Sequence, residues 1–237
     1  MWSLAYDNDG KRLLSCSPDA TAKIWDIKSG KVATDLVGHE LYCYKAAFDS
    51  DSAYVATVGA DKKMMYWDLR NAAKPVFENS ESKAVLMGCD FMPNDQQIIT
   101  TSIQGEISVI SVKKQTRVFY YDTIPPMIAK DKENQLPPEA MNESKKGAPV
   151  KPAKKDSEYS NIIYMCKTVR SVPDEENVFL IGAEDARISK IRMDYNGVEI
   201  FDFFGGHSAG IRSIEVSGDG STLISGCEDH SLRIWDY

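Results

Sequence analysis

The stretch GCEDHSLRIWDY, residues 226–237, sets a polar turn ahead of an alternating apolar strand that closes on Trp235 and Asp236. Two versions of it stand earlier, CSPDATAKIWD at 16–26 and VGADKKMMYWD at 58–68. In all three, the tryptophan (Trp25, Trp67, Trp235) has an aspartate six residues before it (Asp19, Asp61, Asp229) and another directly after it. Such self-similarity marks a repeat architecture and has to be read before anything else. Trp25 and Trp67 are 42 residues apart. Carried on, the frame puts Gln104 and Ile110 in the Asp and Trp positions of SIQGEISVIS, and Asp185 and Ile191 in those of AEDARISKI. Five units result.

One step, from Ile110 to Ile191, is nearly double the others. Residues 123–158 account for it: they hold six of the ten prolines and no aromatic residue, a composition that cannot pack a core. The chain therefore divides into 1–122 (units one to three), a Pro/Lys-rich insertion at 123–158 expected to be disordered within unit four, and 159–237 (units four and five). Each unit carries strand signals. LAYDNDGKRLLSC, AAFDSDSAYVATV, CDFMPNDQQIITTS and IEVSGDGSTLISG each place a turn rich in Asp, Gly, Asn or Pro between two short apolar strands. Repeats of this length, with three or four short strands each and no helical periodicity, predict an all-β propeller with five recognisable blades.

Composition excludes several classes. Lys+Arg 28 against Asp+Glu 35 gives a net charge of −7, which argues against general affinity for nucleic acid or anionic membrane. Uncharged stretches fall well short of the ~20 residues of a membrane helix, and MWSLAYDNDG meets an acid too early for a signal peptide. A soluble cytoplasmic protein is expected, with nuclear or cytoskeletal association as further options. The cysteines (Cys16, Cys43, Cys89, Cys166, Cys227) are scattered without a CxxC pair and read as reduced core residues.

GHELYC…GADKKMMYWD and GHSAGI…GCEDHSLRIWD resemble repeats of the WD40 family, with His39 to Asp61 and His207 to Asp229 spaced alike. The resemblance implies a hydrogen-bonded set in each good blade: His39, Thr57, Asp61 and Trp67 in the second unit, and His207, Ser225, Asp229 and Trp235 in the fifth. Unit one keeps Ser15, Asp19 and Trp25 without a Gly-His. Units three and four lack the His and the Trp and are expected to rely on apolar packing alone. In this family a sequence repeat supplies the outer strand of one blade and the inner strands of the next, so the fifth blade lacks its outer strand. A piece of a longer, about seven-bladed ring, a strand supplied by a partner, and a small closed ring are the explanations this leaves.

A Ser-His-Asp combination also invites a hydrolase reading, but it recurs at structural positions in two units and has no nucleophile-elbow glycines. No enzyme, cofactor or metal is expected: the histidines lie in separate turns, and DNDG, DSDS and SGDG are too short for a calcium loop. His230 reads as an exposed turn residue.

The family resemblance implies a non-catalytic scaffold for protein or peptide partners within a multiprotein complex. Tyr42, Tyr44, Arg212 and His230 are candidate contacts in loops at the narrow face. A second reading rests on Trp67, Asp68 and Arg70, which resemble the Trp-Asp-x-Arg box of substrate receptors of cullin-type ubiquitin ligases and would contact the ligase adaptor. A third rests on KKGAPVKPAKK, a segment with five lysines (Lys145, Lys146, Lys151, Lys154 and Lys155) and no acid within it. That segment fits an import signal or a contact with an acidic partner, RNA or a filament, as in a cytoskeletal or ribonucleoprotein assembly.

Overall fold

The computed structural model describes residues 1–122, 166–173, 175, 177–194 and 197–237. The insertion at 123–158, with Lys145, Lys146, Lys151, Lys154 and Lys155, lies outside the described residues. Five antiparallel sheets follow one another along the chain. Blade 1 is β1 (Ser3–Tyr6), β2 (Arg12–Cys16), β3 (Thr21–Asp26) and β4 (Lys31–Val37). Blade 2 is β5 (Cys43–Phe48), β6 (Tyr54–Gly59), β7 (Met64–Asp68) and β8 (Phe77–Asn79). Blade 3 is β9 (Leu86–Phe91), β10 (Gln97–Ser102), β11 (Glu106–Ser111) and β12 (Thr116–Asp122). Blade 4 is β13 (Thr168–Ser171), β14 (Val178–Gly182), β15 (Arg187–Asp194) and β16 (Gly197–Gly205). Blade 5 has three strands, β17 (Ile211–Val216), β18 (Thr222–Cys227) and β19 (Leu232–Asp236). The innermost strands pack in succession, β1 on β5, β5 on β9, β9 on β13 and β13 on β17, which makes the blades a propeller around a central channel. Among the described residues no helix is long and apolar enough to cross a membrane.

Strand alternation builds the core between blades rather than within one. Leu14, Ile24 and Leu36 of blade 1 meet Cys43, Val55, Met65 and Trp67 of blade 2. Ala56, Met64 and Tyr66 meet Cys89, Ile98 and Ile110 of blade 3, and equivalent clusters join blades 3 to 4 and 4 to 5. Four of the five free cysteines are buried in these layers, as small apolar side chains, and Cys227 is half-buried. Trp2, Leu4 and Tyr6 of blade 1 and Ile224, Leu232 and Ile234 of blade 5 are exposed.

The first turns of blades 1 and 2 obey one local rule, and in blade 5 Ser217 Oγ takes the acid's place, accepting from Thr222 N–H. Asp7 Oδ1 accepts from the N–H groups of Lys11 and Arg12, and Asp49 Oδ1 from those of Ala53 and Tyr54, at 2.8–3.0 Å, so the acid of each of these two turns closes its hairpin. In the second turns Ala20, Lys62, Gly105, Ala186 and His230 all adopt the left-handed conformation, with φ between 64° and 82°.

Blades 3 and 4 depart from the expectation of apolar packing alone. The Asp90 carboxylate accepts from Ser171 N–H (2.7 Å), Ser171 Oγ (2.9 Å) and Arg170 (3.1 Å), and Arg170 also pairs with Glu215. These contacts bridge three blades at the channel wall. In blade 3 the buried Glu106 accepts from Ser82 Oγ at 2.7 Å, while its N–H donates to Ser102 Oγ at 3.0 Å, pinning the turn that a histidine pins elsewhere. Degenerate repeats thus keep polar anchors, built from different residue types.

Candidate functional site

In blade 2, Trp67 Nε1–H donates to Thr57 Oγ1 (3.0 Å), Thr57 lies 2.8 Å from His39 Nε2, and His39 Nδ1 lies 2.8 Å from Asp61. Each group is satisfied if Thr57 donates to Nε2 and Nδ1–H donates to Asp61, which sets the tautomer. Burial alone would raise the Asp61 carboxyl. The His39 contact and the N–H groups of Glu40 and Lys63 outweigh it and hold the carboxyl below its ordinary value. Two glycines leave room for the set. A Cβ on Gly38 would stand 2.9 Å from the Trp67 ring, and one on Gly59 would stand 2.7 Å from the Tyr42 carbonyl oxygen and 2.9 Å from His39 Nδ1.

Blade 5 repeats the geometry: Trp235 donates to Ser225 Oγ (2.9 Å), Ser225 lies 2.7 Å from His207 Nε2, and His207 Nδ1 lies 3.0 Å from Asp229. Ser231 Oγ, which is absent from blade 2, joins both His207 and Asp229. Blade 1 keeps one link, Trp25 to Ser15 at 2.8 Å, while Asp19 holds only its own turn through Thr21. These sets tie loops to strands. Ser225 is fully buried and already bonded to Trp235 and His207, so its hydroxyl has no route to a substrate carbonyl.

The structure also brings together a trio that the sequence reading kept apart. Donor atoms of His207, Cys227 and Asp229 lie within 4.8 Å of one another, because Cys227 ends β18 beside the turn. All three are committed: Cys227 Sγ donates to the Ala209 carbonyl at 3.0 Å and accepts from Asp229 N–H at 3.3 Å, and both histidine nitrogens are bonded. Burial raises the Cys227 thiol above its ordinary value, away from the thiolate a metal needs.

The open surface of the molecule is the channel mouth. Tyr44 and Arg212 are residues of the innermost strands β5 and β17, which corrects their placement in loops. The ladder shifts register between Cys43 and Lys45, between Ile211 and Ser213, and at Met87, where Leu86 and Gly88 pair with adjacent residues of β10. Each bulge turns an extra side chain toward the channel. Tyr44, Met87 and Arg212, with Trp2 from blade 1 and Lys167 from blade 4, border a cavity of about 680 Å³. Trp2 packs on Tyr44 (5.6 Å between centroids) and Tyr42 meets Tyr44 edge-on (6.4 Å). Tyr42 precedes β5 and is exposed, and His230 is exposed in the turn before β19. The opposite mouth, a cavity of about 500 Å³, is bordered by Asp49, Asp90, Asp95 and Glu215, with Arg170.

Arg70 lies in a 3-10 turn (Leu69–Asn71) after β7. Its guanidinium forks onto Asp68 (2.9 and 2.7 Å) and reaches the Tyr54 hydroxyl at 2.7 Å, yet its side chain stays 72% exposed. Lys45, Trp2, Met87 and Lys167 were not singled out from the sequence. Counting back along the repeat frame from each strand-end Trp position would have reached Trp2, Tyr44, Met87 and Arg212.

Successive blades with buried polar pins and an aromatic mouth define a β-propeller. The WD40 family profile (WD domain, G-beta repeat) matches residues 1–26, 30–68 and 199–236, so the chain carries WD40 repeats in those segments. It is 25% identical over 246 residues to the serine-threonine kinase receptor-associated protein of Mus musculus, covering 99% of this chain and 66% of that protein. It is 24% identical over 271 residues to Denticleless protein homolog B of Xenopus laevis (99% of this chain, 34% of that protein). Identity to eukaryotic translation initiation factor 3 subunit I of Drosophila willistoni is 26% over 275 residues (100% and 81%). The chain thus spans 66% of the length of the first of these relatives.

Proposed function

We propose that this chain is a non-catalytic interaction platform within a multiprotein complex and that it receives partners at the mouth bordered by Trp2, Tyr44, Met87, Lys167 and Arg212. One observation carries the reading: three inner strands break their ladders where these side chains enter the cavity. Aromatic and arginine side chains around an apolar cavity are the groups that dominate binding energy at interfaces. The names of two relatives, one receptor-associated and one a subunit of an initiation factor, support an assembly role. The test is affinity capture from cells with quantitative mass spectrometry, comparing the native chain with Tyr44→Ala and Arg212→Glu. Loss of a shared set of partners from both folded variants is expected, and an unchanged partner set overturns the reading.

A second reading, the ligase substrate receptor, is favoured by Arg70: Asp68 and Tyr54 fix it while it remains exposed. Retention of the ligase adaptor by Arg70→Ala would remove it.

A further inference from the structure

Among the described residues, four side-chain cations line or approach the channel wall, and three are paired. Lys167 bridges Glu184 and Glu228, Arg212 pairs with Glu228 at 2.5 Å, and Arg170 holds Asp90 and Glu215. Lys45, on β5, forms no ion pair and no side-chain hydrogen bond among the described residues. The carboxylates whose charge acts on it, Glu215 and Asp90, are engaged by Arg170 and Ser171. The bulge at Tyr44 is what lets two consecutive residues, Tyr44 and Lys45, both line the cavity.

Lys45 is half-buried there, beside Trp2, Tyr44, Met87 and Ile214. Burial first, and then the Arg170 guanidinium, hold its ammonium below the ordinary lysine value. A partly desolvated cation with no partner is costly, and an arriving carboxylate would relieve that cost. Among the described side chains at this mouth, the Lys45 ammonium is the one positive charge left uncommitted, with Asp90, Glu215 and Glu228 close by. That balance suits a single carboxylate and repels a phosphate dianion. The apolar walls suit large side chains on either side of it.

Building on the platform reading, we infer that this mouth binds a linear peptide segment of a partner protein in which an Asp or Glu flanked by large apolar residues sets its carboxylate on Lys45. The apolar neighbours pack on Trp2, Tyr44 and Met87.

The experiment selects a phage-displayed library of random linear peptides on the native chain, on Lys45→Met and on Lys45→Arg, each first shown by thermal melting to be folded. The native chain and Lys45→Arg are expected to enrich acidic residues beside Leu, Phe or Trp by about tenfold, and Lys45→Met to lose that preference while keeping the apolar one. Absence of binders, absence of acid enrichment, or the same enrichment on Lys45→Met overturns the inference. Cellular capture that still depends on Tyr44 and Arg212 would then leave the platform reading standing, which separates the two failures.

Discussion

Trp67 and Thr57 are joined at 3.0 Å by a bond from the indole N–H to a hydroxyl that also faces His39 Nε2 at 2.8 Å, so one buried oxygen serves two elements of the blade. Thr57→Val keeps the volume and removes both bonds, leaving an indole N–H and an imidazole nitrogen orphaned. Each orphan costs about 1–3 kcal/mol. Ser15→Ala removes a hydroxyl that serves the half-buried Trp25 and has no histidine, and should cost about 1 kcal/mol. Urea denaturation of both variants checks the ranking; equal losses would mean the histidine set adds nothing.

Acid should loosen these pins. The Asp61 and Asp229 carboxyls both lie below their ordinary values in the folded chain, so the unfolded chain binds more protons as pH falls. Their contribution is complete above the unfolded carboxyl value of about 4 and is lost progressively as pH drops through the lower folded values. Melting temperature should therefore fall from pH 5 to pH 3, and Asp61→Asn should be less stable at pH 7 with a shallower fall. A parallel pH profile for that variant would count against the assignment.

Gly59→Ala tests the room left for the histidine. The new Cβ would stand 2.7 Å from the Tyr42 carbonyl oxygen, a backbone atom, and must displace it; a loss of about 1–3 kcal/mol is expected. Gly218→Ala, where nothing lies within 4 Å, is the control and should stay within about 0.5 kcal/mol in the same denaturation series.

The Asp90 and Arg170 pair should behave as one unit across blades 3 and 4. Asp90→Ala removes one of the two carboxylates on Arg170, leaving Glu215 in place, and orphans the Ser171 N–H; it should cost about 1–3 kcal/mol. In a double-mutant cycle with Arg170→Met, a coupling energy of about 1–3 kcal/mol is expected, against near-additivity if the contact is incidental.

His230→Gly should hold or raise stability by up to about 1 kcal/mol, because His230 sits at φ 64° where glycine carries no Cβ penalty. Loss of stability measured by calorimetry would show that the imidazole itself contributes.

The blades were legible because the constraint that makes them is local. A turn aspartate, an alternating strand and a tryptophan recur at fixed separations, and strand alternation alone assigns each side chain to one face of its blade. The partners of His39 and His207 followed from the same frame and the family resemblance. Blades 3 and 4 were legible as strands and opaque as chemistry: Glu106 and Ser102 replace the histidine set with residues that carry no motif.

What the sequence by itself determined is the repeat, its period, the all-β class and the residues of the Trp-Asp frame, since each depends on neighbours within one unit. The tertiary structure alone decided that Arg170 joins Asp90 and Glu215, that Cys227 meets His207 and Asp229, and that Tyr44 and Lys45 share the channel mouth. Those relations depend on where blades abut and where a ladder slips by one residue. A bulge shifts a side chain from one face to the other at little local cost, so no pattern of residue types announces it.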